Sequence, residues 1–287
     1  HGDGTESPAT DSDSYSTSGS PAACDASVFN PAFTGSPSTA TSAISPDLTL
    51  SATSPPGDAN IKQMDIDLPT GLVAATGNVP LCSNVASAQG NCDTASDVGD
   101  VSAWMGTSST LADDYRIDGD LFNVAPLRDG SGNLLEPARL SVRINVQVGP
   151  FNLGKLVIPI TADLRSDWGV TTKATLPARY EGIAVNMRAM AITLKGNVGG
   201  KRFAIIPSKC QANTVSNRMT SGVAPIKNVT RNWSVTTNGC AGFNPATKPT
   251  IDITPSTTQG GVPVGMRIDI DSADVNQTIK RTEFTFP

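Results

Sequence analysis

The feature that most limits the fold is a strict alternation of apolar and polar residues, renewed in segment after segment. Val142, Ile144, Val146 and Val148 are separated by Arg143, Asn145 and Gln147. Leu156, Ile158, Ile160, Ala162 and Leu164 repeat the pattern, as do Met64, Ile66, Leu68 and, near the end, Thr282, Phe284, Phe286. A period of two places successive side chains on opposite faces of a strand and gives a helix no apolar stripe. The run Ile183, Val185, Met187 changes face before Met190, Ile192, Leu194, which predicts a bulge or a bend. Turn chemistry separates the runs at Gly149-Pro150, Asp129-Gly130, Asn197 to Gly200, Thr254-Pro255 and Gly260-Gly261. Roughly a dozen short strands punctuated this way predict an all-β fold, an antiparallel sandwich, Greek-key-like domain or partly opened barrel. One short helix is expected, from Cys82 to about Ala95.

A domain-sized repeat is laid over this pattern. Leu48–Pro69 aligns without gaps on Met266–Pro287, with Ser54/Ser272, Ile61/Ile279, Lys62/Lys280 and Pro69/Pro287 identical and the apolar positions in phase. Upstream, Cys24 and the tetrapeptide Phe29–Ala32 are matched by Cys240 and Phe243–Ala246. The spacing suits a repeated domain, not a solenoid. Three regions follow: a Ser/Thr/Pro-rich extended segment over 1–46, a β-rich body over 47–264 with room for two β subdomains, and a C-terminal β-hairpin over 265–287. An isolated two-stranded hairpin is marginal in water. The chain therefore continues beyond residue 287, or the hairpin docks on another molecule, or it folds back on its own sheet.

Composition narrows the chemistry. Residues 1–61 hold seven acids and no Lys or Arg, so of a net charge of −5 the remainder of the chain contributes +2. With 5% aromatic residues and no basic stripe, nucleic acid is a poor partner. The single histidine, His1, removes Ser-His-Asp arrangements and His-based zinc sites. No window resembles a membrane span. Asp129, Ser131 and Asn133 echo a calcium loop but lack its later ligands, and a hairpin turn is the preferred reading. The aspartates of residues 113–120 fit a solvated loop. Trp104, Trp168 and Trp233 could form a sugar-stacking platform, although such residues more often pack at a core or its rim. No catalytic residue, metal site or cofactor is assigned, and the chain is not expected to be an enzyme; two acids meeting in a cleft would revive hydrolysis. A start at His1 suggests a processed chain, and five cysteines in a Lys-poor sequence fit an oxidising compartment. Asn228, Asn232 and Asn276 lie in glycosylation tripeptides.

A series of short motifs carries a resemblance: residues 65–72 (DIDLPTGL), Cys82 and Cys92 with 95–101 (ASDVGDV), 149–160 (GPFNLGKLVIPI), 176–194, and 206–210 (IPSKC) leading to 239–249. Their order resembles the repeat units of large secreted, Cys-containing, all-β surface proteins of some actinobacteria, over about residues 47–287. The resemblance implies an extracellular all-β protein and transfers no catalytic residue. The chain departs from that pattern at Ile206-Pro207 before Cys210. Locality and the motif order of those proteins favour disulfides Cys82–Cys92 and Cys210–Cys240. Cys24 is left over, either an intermolecular cross-link or a free remnant.

The expected function is structural: a subunit of an extracellular filament, sheath or surface layer, joined to copies of itself by strand exchange between terminal segments. Phe29, Phe33, Ile268, Ile270, Ile279, Phe284 and Phe286 are the expected subunit contacts. The alternative is a secreted adhesin or carbohydrate-binding module, with glycans as partners.

Overall fold

A strand with one apolar face must bury that face, and a long run of such strands can do so by curling upon itself. This is the solution adopted in the computed structural model, which describes residues 28–42, 44–106, 108, 110–148, 150–207, 210–222, 225–240, 250–259 and 265–271. In chain order the strands are β1 (Ala32–Pro37), β2 (Leu48–Thr53), β3 (Ile61–Leu68), β4 (Val73–Ala74), β5 (Asp97–Met105), β6 (Tyr115–Val124), β7 (Ala138–Val148), β8 (Phe151–Leu164), β9 (Val170–Thr175), β10 (Arg179–Tyr180), β11 (Ile183–Ala184), β12 (Met187–Leu194), β13 (Asn197–Val198), β14 (Lys201–Arg202), β15 (Ala204–Ile205), β16 (Ala212–Ser221), β17 (Asn228–Thr236), β18 (Thr250–Pro255) and β19 (Met266–Asp271).

The protein is all-β, as its periodicity predicts. Eleven strands form one antiparallel sheet in the order β1-β2-β12-β5-β6-β7-β8-β9-β3-β16-β17. The edge strands β1 and β17 approach each other, so the sheet is nearly closed. One curled sheet thus takes the place of two stacked ones. Inward residues meet across neighbouring strands: Leu121 faces Val142, and Val142 faces Ile158. All three are buried, together with Leu50, Met64, Val101, Ile144, Met190, Val215 and Met219. Burying each such side chain contributes about 1.5–3 kcal/mol.

The expected irregularity before Met190 is a register shift between Met187 and Ala189 on β12, against β5. Gly199 and Gly200, both at positive φ, form the two-residue turn between β13 and β14 that residues Asn197 to Gly200 foretold. Helix α1 is shorter than expected, spanning Asn84–Ala88 with the Ser83 hydroxyl accepting from the Ala86 amide. The chain turns away at Gly90, whose φ is +64°, and Asp93 caps a separate 3-10 turn. Thr254-Pro255 ends β18 instead of forming a turn.

One boundary and one pairing differ from the expectation. β1 belongs to the main sheet, where it pairs with β2 along its whole length, so the body begins well before residue 47. Leu48–Pro69 is not a hairpin either: β2 lies between β1 and β12, whereas β3 lies between β9 and β16. Alternation identifies strands and their faces, but it does not choose their neighbours.

Candidate assembly surface

The second copy of the repeat forms its own two-stranded sheet, β18 with β19. The partner strand β18 precedes Met266, and the remainder of the expected hairpin, residues 272–287, lies outside the described residues. Pro255 pairs with Met266 and Thr250 with Asp271, just as Pro37 pairs with Leu48 and Ala32 with Thr53. Each pair lies 218 residues beyond its counterpart, and both connections, residues 38–47 and 256–265, are ten residues long. The closing bonds match as well. Ser38 N donates to Asp47 O at 2.8 Å, and Ser256 N to Gly265 O at 2.7 Å. The Ser38 hydroxyl accepts from the Asp47 amide, and the Ser256 hydroxyl accepts from the Gly265 amide. A serine at the strand end thus clamps the same turn twice.

What differs is the environment of the apolar face. On the first hairpin Phe33, Leu48, Leu50 and Ala52 are 7%, 4%, 7% and 2% exposed. At the equivalent positions on the second, Ile251, Met266 and Ile270 are 48%, 46% and 37% exposed, and Ile268 is half-buried. Ile253, in the place of Gly35, is 51% exposed. The free edge of β19 corresponds to the edge of β2 that pairs with β12 from Leu194 to Ala189. Among the described residues β19 pairs with β18 alone. Among the described residues the second hairpin therefore presents an apolar face and an open edge, both of which its twin has filled. The opposite face is polar, with Arg267 bound to Asp269.

The first hairpin sits at the seam of the barrel. Arg231 Nε of β17 donates to Pro31 O at 3.0 Å, and its Nη2 donates to the Asn30 side chain. Thr41 bridges Asn238 in parallel. Disulfide Cys210–Cys240 lies beside this junction, whereas Cys82–Cys92 closes the loop that carries α1. Phe29 and Phe33 are buried in the core of their own chain, so in the closed barrel they are not available as subunit contacts. Ile268 and Ile270 lie on the uncovered face. Cys24, Ile279, Phe284 and Phe286 lie outside the described residues. The sequence had located the repeat but missed Ile251 and Ile253, because β18 bears little residue identity to β1.

The polar groups offer no comparable site. The four aspartates of residues 113–120 are each engaged separately. Asp113 accepts from Thr110, Asp118 from Ser102 and Arg116, and Asp120 pairs with Arg143. Asp114 forms a buried ion pair with Arg188 at 2.8 Å. The Ser108 hydroxyl bonded to Asp114, aided by Arg188, holds its carboxyl below the usual range against the opposing effect of burial. Burial pushes the Asp65 carboxyl up, but bonds from Arg218 and Gln63 outweigh it and hold it low. Asp129 caps the turn of residues 129–133, accepting from the amides of Ser131 and Asn133. No group of three or more His, Cys, Asp or Glu among the described residues is placed to hold a metal ion. No described helix is long and apolar enough to cross a membrane. Trp104, Trp168 and Trp233 are dispersed over β5, the β8–β9 turn and β17.

Comparison of the chain with known protein families, curated proteins and solved structures finds no match.

Proposed function

We propose that the protein is a structural subunit of an extracellular assembly, a filament, sheath or surface layer, in which β18–β19 supplies the first two strands of a neighbouring β body. The single observation that carries this reading is the twin hairpin. One copy is buried as β1–β2 at a barrel seam, and the other repeats its register with the equivalent face bare. Strand addition draws affinity from main-chain hydrogen bonds and register from alternate side-chain pockets. β19 offers the edge for a strand like β12, while Ile251, Met266, Ile268 and Ile270 offer the side chains. A contact of this kind between copies is heterologous, so it propagates unless it closes into a ring. The two disulfides suit an oxidising extracellular setting.

The test is removal of residues 250–287, followed by sedimentation and electron microscopy at matched concentration. The full chain is expected to form higher species and the shortened chain to remain monomeric. Equal behaviour of the two chains overturns the proposal.

A second reading, a glycan-binding adhesin, is favoured by Trp168 alone, which is 76% exposed and held at φ +65° in the β8–β9 turn. Loss of binding on a glycan array by Trp168→Ala would select it.

A further inference from the structure

The interior of the barrel is not filled. A cavity of about 260 Å³ lies inside the sheet, walled by Leu50, Met64, Leu121, Ile160 and Met190 among other aliphatic side chains. Protein interiors pack as densely as organic crystals, so a void of this size is exceptional. Cavities with such walls stay dry and take up apolar molecules. Among its polar wall residues, Thr76, Arg139, Thr161, Thr172 and Asn217, the last stands out. Asn217 lines the cavity, is 0% exposed, and has no hydrogen-bond partner for either Nδ2 or Oδ1. It occupies the inward face of β16 between Val215 and Met219, opposite Ile66 of β3, which also lines the cavity. A buried amide left without partners is costly, and native structures keep few of them.

The mouth is apolar as well. Leu164, at the end of β8, and Val73, on β4, line the cavity and are 54% and 41% exposed. The turn from Leu164 to Val170 carries Trp168. Arg165 pins that turn by donating to Leu68 O and Val170 O. Arg139, the charged residue of the lining, is occupied by Glu136.

We propose that this cavity binds an aliphatic molecule bearing one neutral group that both donates and accepts a hydrogen bond, a fatty alcohol or a protonated fatty acid. The amide of Asn217 presents a donor and an acceptor side by side. A hydroxyl, or a carboxylic acid in its protonated form, satisfies both at once. An ionised head has no free counter-charge in the lining, and a purely hydrocarbon ligand leaves the amide unsatisfied. The site lies within the barrel of one chain and involves no residue of β18–β19, although Phe33, Leu48, Leu50 and Ala52 of the resident β1–β2 form part of its wall.

The experiment titrates the full chain with 1-decanol and with decane, by calorimetry and by the ¹⁵N side-chain signal of Asn217. Decanol is expected to bind roughly tenfold more tightly than decane, the ratio that one otherwise unmade buried hydrogen bond supplies. The Asn217 signal should move with decanol and not with decane. Asn217→Leu should bind both alike. Absence of binding by either ligand, an unmoved Asn217 signal, or an unchanged preference in Asn217→Leu overturns the proposal. If that variant fails to fold, the signal of the unmodified protein decides.

Discussion

Gly35 of β1 lies directly against the indole of Trp233 on β17. A β-carbon on Gly35 would sit 2.5 Å from Trp233 Cδ2 and Cε3, closer than any real contact. The seam of the barrel therefore closes only because one residue has no side chain. Gly35→Val should force the seam apart at a cost of about 1–3 kcal/mol. Hydrogen exchange should then accelerate in β1 and β17 before it does in β7 and β8.

The same position distinguishes the twin hairpins. Ile253 stands where Gly35 stands, so an exchanged β18–β19 would push Ile253 into Trp233 of an identical neighbour. At this position the resident residue fits better than the exchanged one. Ile253→Gly should remove that conflict and raise the assembled fraction measured by sedimentation. A fall or no change would count against exchange between identical barrels.

Arg188 and Asp114 are 74 residues apart and joined at 2.8 Å out of water. Removing one member of such a pair leaves an uncompensated buried charge. Arg188→Leu should cost about 3–5 kcal/mol in denaturant unfolding. The Arg188→Leu, Asp114→Leu double variant should recover part of the loss.

The pH dependence follows from Asp114 and Asp65, whose folded pKa values are depressed. A depressed carboxyl contributes stability that is present above its ordinary value, 3.8, and is lost as pH falls through the lower folded value. Thermal midpoints should be flat with respect to these groups near neutrality and fall in acid. Asp65→Asn should flatten the acid limb, and an unchanged limb would show that the Arg218 bond is not felt.

The disulfides should differ in their response to reductant. Cys82 and Cys92 are buried, whereas Cys210 is exposed and Cys240 half-exposed. Mild reduction followed by alkylation should label Cys210 and Cys240 first. By loop entropy, losing the Cys210–Cys240 cross-link costs roughly 3–4 kcal/mol. Loosening should begin at the β1–β17 seam.

Much of this was legible in the sequence. The inward faces of β7 and β8 follow from Val142, Ile144, Ile158 and Ile160, because strand periodicity is a local property. The bulge before Met190 and the Gly199-Gly200 turn are equally local. The repeat at Met266 was legible too, since strands that adopt one register in two places keep similar residues. Asn217 was not. Val215 and Met219 two residues to either side put it on the inward face, but nothing in its neighbours shows that its amide is left without partners.

The sequence by itself determined that the chain makes strands, which face of each is apolar, and that one stretch recurs near its end. The tertiary structure alone decided that β2 lies beside β12 and not β3, that the sheet closes at Gly35 and Trp233, and that one copy of the repeat is covered while the other is bare. The reason is range. Alternation is dictated by the backbone between adjacent residues, whereas the pairings of β2 with β12 and of β3 with β9 and β16 are settled among groups more than a hundred positions apart competing for the same surfaces.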